Sequence, residues 1–476
     1  MAPLKVLIIG GGISGPALAF WLARIGANIT LIERSPRMRA SGQQVDIRAQ
    51  GVAMMRKMGI EAAVREACVH EPGAQFIDVK GRTQAFLPAT QNGAGKQSFT
   101  SEFEIMRGDL VRILYRLTEG RPNVQHLYNT TVDSFTQDEE SDPNGKVHVR
   151  FHDGRTEDFD LVVGADGAGS KTRKAMLGPD APDPRHPLGG YIGYFSIRST
   201  PADSDRATFC PLPGPRVARI IGTRKDCPEL TRVYMILLGP DAAIDAAYKT
   251  GDLAELKKAW SDLYQGGGWE CDRFMEALQN QPEADDLYCT PFEEVRLPEG
   301  SWSKGRVVLV GDAAHCQTAG GLGSTWGMIG PYILAGEIAT LSAEKSSSLS
   351  STSTAEEPAP AKAAPATATA PTTAIASVVI QAAKNYETKF RPAATAMHGG
   401  SERIGLLSFP RSKLGIWILL LLAKVAAYLR LDQKLGLFSD THQWQLPEYP
   451  ALEKAERTGE SFESSVGERA NERGRM

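Results

Sequence analysis

The sequence predicts an α/β protein: a Rossmann-like domain, interrupted by a mostly β insertion and followed by a C-terminal helical region. Three observations carry this. A short apolar run, Leu4–Ile9, leads straight into Gly10-Gly11-Gly12-Ile13-Ser14-Gly15 and then into a helical pattern. Two later apolar runs, Asp160–Val163 and Arg306–Val310, each end in a turn of small residues that holds an aspartate. Between Pro187 and Leu297 the pattern changes to strands, as in "GGYIGYFSIRS" and "TRVYMILLG".

Taken in order, Leu4–Ile9 reads as a buried parallel strand. Pro16–Ile25 places Leu18, Trp21, Leu22 and Ile25 at helical spacing. Asn28–Ile32 is a second strand that ends at Glu33. These elements set a nucleotide-type domain over 1–180, resumed over 296–343. A sheet domain over 181–295 is inserted between the two parts, with one helix-like run at Leu253–Leu263. Residues 344–376 are dominated by Ser, Thr, Ala and Pro, with Leu349 and Ile375 as the large apolar residues. Such a stretch buries too little surface to offset its ordering entropy, so it reads as a disordered insertion. It interrupts a helical pattern that runs over Tyr332–Leu341 and resumes near Val378. A helical region is expected over 377–450 and a charged, disordered tail over 451–476.

The chain has 476 residues, 42% of them hydrophobic, which is enough for a sizeable core. A net charge of -3 without a basic block gives no footprint for nucleic acid. Six scattered cysteines lack any CxxC pair, so no metal site is expected and reduced thiols in a cytoplasmic setting are. The N-terminal apolar run is only a strand long, which does not make a signal peptide. Leu414–Leu429 is the most apolar stretch, with Lys424 inside it and Arg411, Lys413 and Arg430 around it. It reads as a buried or dimer-packing helix, as an interfacial membrane anchor, or as a short span.

In the glycine loop, Gly10 permits the tight turn and Gly12 lets the backbone approach a pyrophosphate. Gly15 lets the helix pack on the strand, and the helix N-terminus offers N–H groups to phosphate. Glu33, 18 residues beyond Gly15, stands where an acid accepts from a ribose diol. The loop alone does not separate FAD from NAD.

The later motifs do. With "DLVVGADGAGSKTR" (Asp160–Arg173) and "GRVVLVGDAAH" (Gly305–His315), the sequence resembles the class A FAD-dependent monooxygenases, or aromatic hydroxylases. "RASGQQVDIR" (Arg39–Arg48) is similar to the subgroup of tetracycline-inactivating flavin monooxygenases, and the whole suggests a fungal secondary-metabolism member. The resemblance implies FAD contacts at Asp46, Arg48, Arg107, Asp166, Gly167, Gly311, Asp312 and Gly323, and an NADPH contact at Arg39. It implies insertion of one oxygen atom of O2 into an aromatic or polyketide-like small molecule through a flavin C4a-hydroperoxide. Hydroxylation, epoxidation and Baeyer-Villiger insertion all fit. The turn after His315 departs from the family: "CQTAGGLGSTWG" has no proline, which bears on the flavin-ring contacts of Gly321, Leu322 and Gly323. Cys316 reads as a packed residue.

The substrate is expected between the flavin and the inserted sheet. Tyr191, Tyr194, Arg198 and Tyr234 lie on predicted strands there and are candidates to orient a phenol, or equally to fill a core. Tyr194 and Tyr234 are the catalytic candidates, and nothing in the sequence names a base. A flavin oxidase or dehydrogenase, or a non-catalytic membrane-associated flavoprotein, are the alternatives.

Overall fold

The computed structural model describes residues 3–38, 42–69, 71–89, 102–214, 216–318, 321–352, 375–396, 398, 409–430 and 444–454. Its first sheet has six strands in the order Ser303–Lys304, Val307–Leu309, Leu161–Gly164, Lys5–Ile9, Asn28–Ile32 and Val124–Leu127. All neighbours are parallel except the first hairpin. Parallel strands are covered on both faces, and Val6, Leu7, Ile8, Leu161, Val162, Val163, Val307 and Val308 are accordingly all buried. From Lys5–Ile9 the chain moves to Asn28–Ile32 on one side and later returns to Leu161–Gly164 on the other. The strand order therefore reverses at the C-terminal end of Lys5–Ile9, where open α/β sheets bind their ligands.

The helix Ser14–Arg24 leaves this point and is buried along its length, from Ser14 to Ala23. It packs against the long helix Gly323–Thr352. A second helix, Ile375–Thr395, lies on that one, and buried Glu337 joins them. Its carboxylate accepts from Asn385 Nδ2 at 3.0 Å, Lys389 Nζ at 2.5 Å and the Tyr449 hydroxyl at 2.5 Å. The low-complexity boundary needs correcting. Residues 344–352 continue the helix, because propagation from a packed helix costs far less than nucleation. Residues 353–374 lie outside the described residues. The expected tail also begins with a helix, Pro450–Lys454, held by fully buried Leu452.

The second sheet has seven strands, ordered Tyr288–Val295, Arg185–Arg198, Leu230–Leu238, Ala218–Cys227, Ala207–Leu212, Gly73–Ile77 and Thr83–Pro88. Its last two strands come from outside the expected 181–295 boundaries. They are short, and their alternation is hard to tell from a loop until Gly73–Ile77 pairs in parallel with Ala207–Leu212. Three helices, Ala242–Thr250, Leu253–Tyr264 and Cys271–Asn280, accompany this sheet, where sequence periodicity marks one. Trp260, Tyr264, Phe274 and Leu278 from these helices form one core with Tyr191, Phe195, Ile197, Val233 and Met235 of the strands. Strand alternation sends Ile192, Ile220 and Ile236 into a different cluster on the opposite face. Tyr194 and Tyr234 pair directly across two neighbouring strands on that second face.

A two-stranded piece, Gln44–Asp46 with Glu104–Met106, lies against the helix Gly323–Thr352 and reaches the second sheet through Gln44.

The apolar C-terminal stretch forms the helix Lys413–Leu429, capped by Ser412, whose side chain accepts from Gly415 N. It rests on Thr83–Pro88 and Gly73–Ile77. Only Ile416 and Leu420 in it are buried, so the expectation of a buried helix is corrected. No helix among the described residues is long and apolar enough to cross a membrane.

Arg306 ties the first sheet to its neighbouring hairpin. Its guanidinium is fully buried and donates to the carbonyls of Asp138 at 3.0 Å, Glu139 at 3.2 Å and Asp142 at 2.7 Å. Arg306→Leu strands these acceptors. We expect a loss of about 2–3 kcal/mol, read as a lower denaturant midpoint, since each unmade buried hydrogen bond costs about 1 kcal/mol or more. An unchanged midpoint would remove Arg306 as a tie.

Candidate active site

Three strand ends converge on one cleft. Gly10 follows Lys5–Ile9, Ala165-Asp166-Gly167 follows Leu161–Gly164, and Gly311-Asp312 follows Val307–Leu309. The backbones there are too close for any side chain. A Cβ on Gly10 would lie 2.4 Å from Ala165 O, and one on Gly15 would lie 2.0 Å from Gly10 O. Gly10 also needs its φ of +118°, a region L-residues avoid. This contact sets the N-terminus of Ser14–Arg24 against the mouth of the sheet.

Glu33 closes the loop from the side. It accepts from Gly11 N at 2.9 Å through one oxygen and from Ser35 N at 2.9 Å through the other. Each oxygen keeps a lone pair for a ribose hydroxyl. Arg107 opens the helix Arg107–Arg116, its backbone N–H bonded to Gln43 O at 2.9 Å. Its guanidinium comes within 3.4 Å of where a Cβ on Gly12 would stand. The same charge acts on Asp312. Gly12, Arg107 and Asp312, far apart in sequence, are thus brought to one place.

Asp312 starts the short helix Asp312–His315. It is open to solvent yet ringed by protein, as a group lining a deep cleft must be. Burial pushes its carboxyl up, and the Arg107 charge opposes this. Gly311 lies against Ser14 Oγ, which brings the N-termini of two helices together. The next residue with reactive potential, Cys316, is buried, and burial raises its thiol far above the range of a nucleophile. His315 is neutral: burial lowers it to about 3, among Trp302 and Phe390.

Asp166 serves its own turn. It accepts from Ser170 Oγ at 2.5 Å and from Thr172 N and Oγ1, both at 3.0 Å. This shapes the turn that presents Gly167. Arg173, which sequence reasoning left unassigned, links the two aspartate motifs: it donates to Ala313 O at 2.9 Å and to Ala168 O at 2.5 Å. Asp46 and Arg48 form an ion pair at 2.7 Å beside the start of Gly323–Thr352. Thr325 Oγ1 fixes that segment, accepting from Arg48 N at 3.2 Å and donating to Arg48 O at 3.2 Å. Arg39 lies outside the described residues.

The cleft suits a dinucleotide carrying a large ring. Gly167, Gly321 and Gly323 face open space, where a Cβ would meet nothing within 4 Å. The long helix begins at Gly323, so its partial positive charge falls at the open end. Glu33 and the glycine loop define the opposite, ribose end. These residues fit FAD.

Comparison with known proteins agrees with this geometry. Residues 3–182 match the family described as "FAD binding domain". The flavin-dependent monooxygenase eupH of a Phoma species is 47% identical over 341 residues, covering 71% of this chain and 78% of that protein. The chain belongs to the class A flavin-dependent monooxygenases. Along nearly its full length it is similar to the FAD-dependent monooxygenase asL4 of Sarocladium schorii, with 35% identity, 95% of this chain and all of that one covered. In fold it is similar to the tetracycline destructase Tet(51), with a TM-score of 0.67, 24% identity and coverage of 94% and 100% of the two chains. Tet(55) gives 0.66 and 25% identity, with 94% and 99% covered.

In this monooxygenase the second sheet gathers three tyrosines on one face. The rings of Tyr194 and Tyr234 meet edge to face at 5.1 Å, and Tyr288 stacks on Tyr194 at 6.4 Å. The Tyr234 hydroxyl donates to Gln44 Oε1 at 3.1 Å, two residues from Asp46. Arg224 Nη1 donates to the same oxygen at 2.8 Å and pairs with Glu104. Gln44, Glu104 and Arg224 went unnoticed in sequence because nothing in the spacing of three strands predicts that they meet. Tyr191 points the other way, toward the helices, with its ring 5.4 Å from Tyr248. Arg198 is largely exposed and pairs with Glu283 at 2.8 Å, so both leave the candidate set. Burial also keeps the Tyr194 phenol neutral, a donor and not an anion.

Two outcomes follow. Arg107→Ala should weaken FAD binding about 10- to 100-fold, since charge-assisted hydrogen bonds are worth about 1.5–3 kcal/mol, measured by flavin retained against added FAD. Asp312 has its carboxyl raised in the fold, so its favourable contribution exists at low pH and is lost as pH rises through the folded value. Cofactor-free Asp312→Asn protein should therefore melt above cofactor-free wild type at neutral pH, with the gap closing as pH falls. A gap that widens on acidification would contradict the assignment.

Proposed function

We propose that this protein is an NADPH-using monooxygenase that inserts one oxygen atom of O2 into an aromatic or polyketide-like small molecule in secondary-metabolite biosynthesis. The observation that carries the substrate class is the sheet face of Ile192, Ile220 and Ile236 with Tyr194 and Tyr234. Such a face offers aliphatic surface to a ring system, with phenol hydroxyls beside it. The relatives named above are fungal monooxygenases, which supports the biosynthetic setting. The six unpaired cysteines fit a cytoplasmic enzyme.

FAD, when bound, supplies the electron transfer and the activation of O2. The chain's own residues do the rest. Gly12 and Arg107 hold the pyrophosphate region, Glu33 the adenosine ribose, and Asp312 the ribityl hydroxyls. Gly167 leaves room beside them. The Gly323 helix N-terminus and Arg48 would face the ring edge and favour negative charge there, with Asp46 holding the Arg48 guanidinium in place. Arg39 contacts the NADPH. Ile192, Ile220 and Ile236 exclude water from the substrate face. Tyr234, oriented by the bond its hydroxyl donates to Gln44, would line the substrate face, and Arg224 holds Gln44 in place.

The deciding experiment follows NADPH oxidation by the FAD-loaded enzyme across a panel of phenolic polyketides, with mass detection of product. Gain of one oxygen atom is expected. Hydrogen peroxide matching the NADPH consumed, with no oxygenated product from any member, would make it an oxidase. Tyr234→Phe should keep its flavin and lose about ten-fold in kcat/KM, the worth of one buried hydrogen bond of about 1.4 kcal/mol. Unchanged kcat/KM would take Tyr234 out of the substrate site.

A further inference from the structure

The helix Lys413–Leu429 is built the wrong way round for a protein surface. Its inward stripe holds Ile416, Leu420 and, at helical spacing, the small residues Ala423 and Ala427. Its outward face holds the bulk: Leu414, Trp417, Ile418, Leu421, Leu422, Val425, Tyr428 and Leu429 are all exposed, Tyr428 at 86% and Leu414 at 67%. Among the described residues, only Tyr248 and Leu253 are large exposed hydrophobics outside this helix. A continuous apolar face of this kind marks an interaction surface.

We propose that this face docks the enzyme on an anionic phospholipid surface, with the helix lying flat in the interface. The helix has 17 residues, a length of about 25 Å, and the approximately 30 Å hydrocarbon core needs about 20 apolar residues to cross. It reaches partway into a leaflet and does not span. Its charges point to the lipid class. Between Phe409 and Arg430 there is no acidic residue, while Arg411, Lys413, Lys424 and Arg430 are basic, in a chain whose net charge is -3. All four are exposed. Trp417 and Tyr428, also exposed, are the residue types that favour the headgroup level. A second copy fits less well. Two-fold pairing presents the same face to itself and sets this basic set against its own image, whereas an anionic bilayer neutralises it.

The seat of the helix is firm. Phe409 packs with Leu188, Ala218, Leu238 and Phe292, Arg411 Nη1 donates to Arg216 O at 2.7 Å, and Gly214 N donates to Arg411 O at 3.1 Å. Docking therefore places the second sheet, and the substrate face on it, close to the bilayer.

The test is flotation of the full-length FAD-loaded enzyme with vesicles of phosphatidylcholine, alone or with phosphatidylserine at about one part in three. We expect partitioning about ten-fold or more in favour of the anionic vesicles, decreasing with salt. The triple variant Trp417→Ser, Leu421→Ser, Leu422→Ser should lower binding about ten-fold or more. Lys413→Glu with Lys424→Glu should remove the anionic preference, each basic residue being worth roughly five-fold. FAD content and NADPH oxidation should be unchanged in all variants, since these residues lie outside the flavin cleft. Failure to bind either vesicle overturns the proposal. So does a dimer in size-exclusion chromatography that the triple variant dissociates, which would assign the face to a second copy. Binding that ignores the charge reversal overturns the anionic selectivity.

Discussion

Everything in the site depends on one close approach of backbones. Gly10 passes Ala165 and Gly15 passes Gly10 at distances that leave no room for a β-carbon. Because these chains touch, the three strands Lys5–Ile9, Leu161–Gly164 and Val307–Leu309 deliver their C-terminal turns to one cleft. A larger residue at either glycine would separate the helix N-terminus from the sheet. It would also move Arg107, whose guanidinium lies against Gly12, away from Asp312.

Beside the start of the long helix lies a polar cluster in which Gln44 belongs to a stretch that resembles the family. Gln44 and Glu104 stand on a two-stranded piece beside the flavin segment, while Arg224 and Tyr234 come from the seven-stranded sheet. Buried Glu71 faces Arg224 at 3.7 Å, and burial raises its carboxyl against that neighbouring charge. Charged and polar groups in this position cost desolvation unless each finds a partner. The cluster therefore specifies how the two-stranded piece meets the seven-stranded sheet as much as it strengthens the contact. It also gives Tyr234 a defined hydrogen-bond direction, which a phenol on an open sheet face would lack.

The nucleotide half was legible in the sequence for a physical reason. Its contacts are backbone contacts, and these restrict residue type at fixed spacing: glycine at 10, 12 and 15, an acid at 33, an aspartate after each later strand. The flavin assignment, the strands leading to it and the helix after it all follow from such local rules. Other features escaped because their cause is not local. Gly73–Ile77 and Thr83–Pro88 join a sheet whose other strands begin only at Arg185. Asp166 was legible as a motif residue, but not the way its two oxygens hold the turn that presents Gly167. Residues 344–352 looked unable to fold, yet they extend a helix already nucleated by its packed first half.

By itself, then, the sequence determined the chemistry of the cofactor end, because phosphate and ribose are read by backbone geometry that short motifs encode. Only the tertiary structure decided which side chains share a face of the second sheet. Strand parity put Tyr194 and Tyr234 on one face of the second sheet and Tyr191 on the other, against the helices, and a one-residue change of register would have reversed them. The C-terminal helix shows the same division. Its composition announced an apolar segment, but only its seat on the sheet edge decided that the bulky side of that helix faces outward.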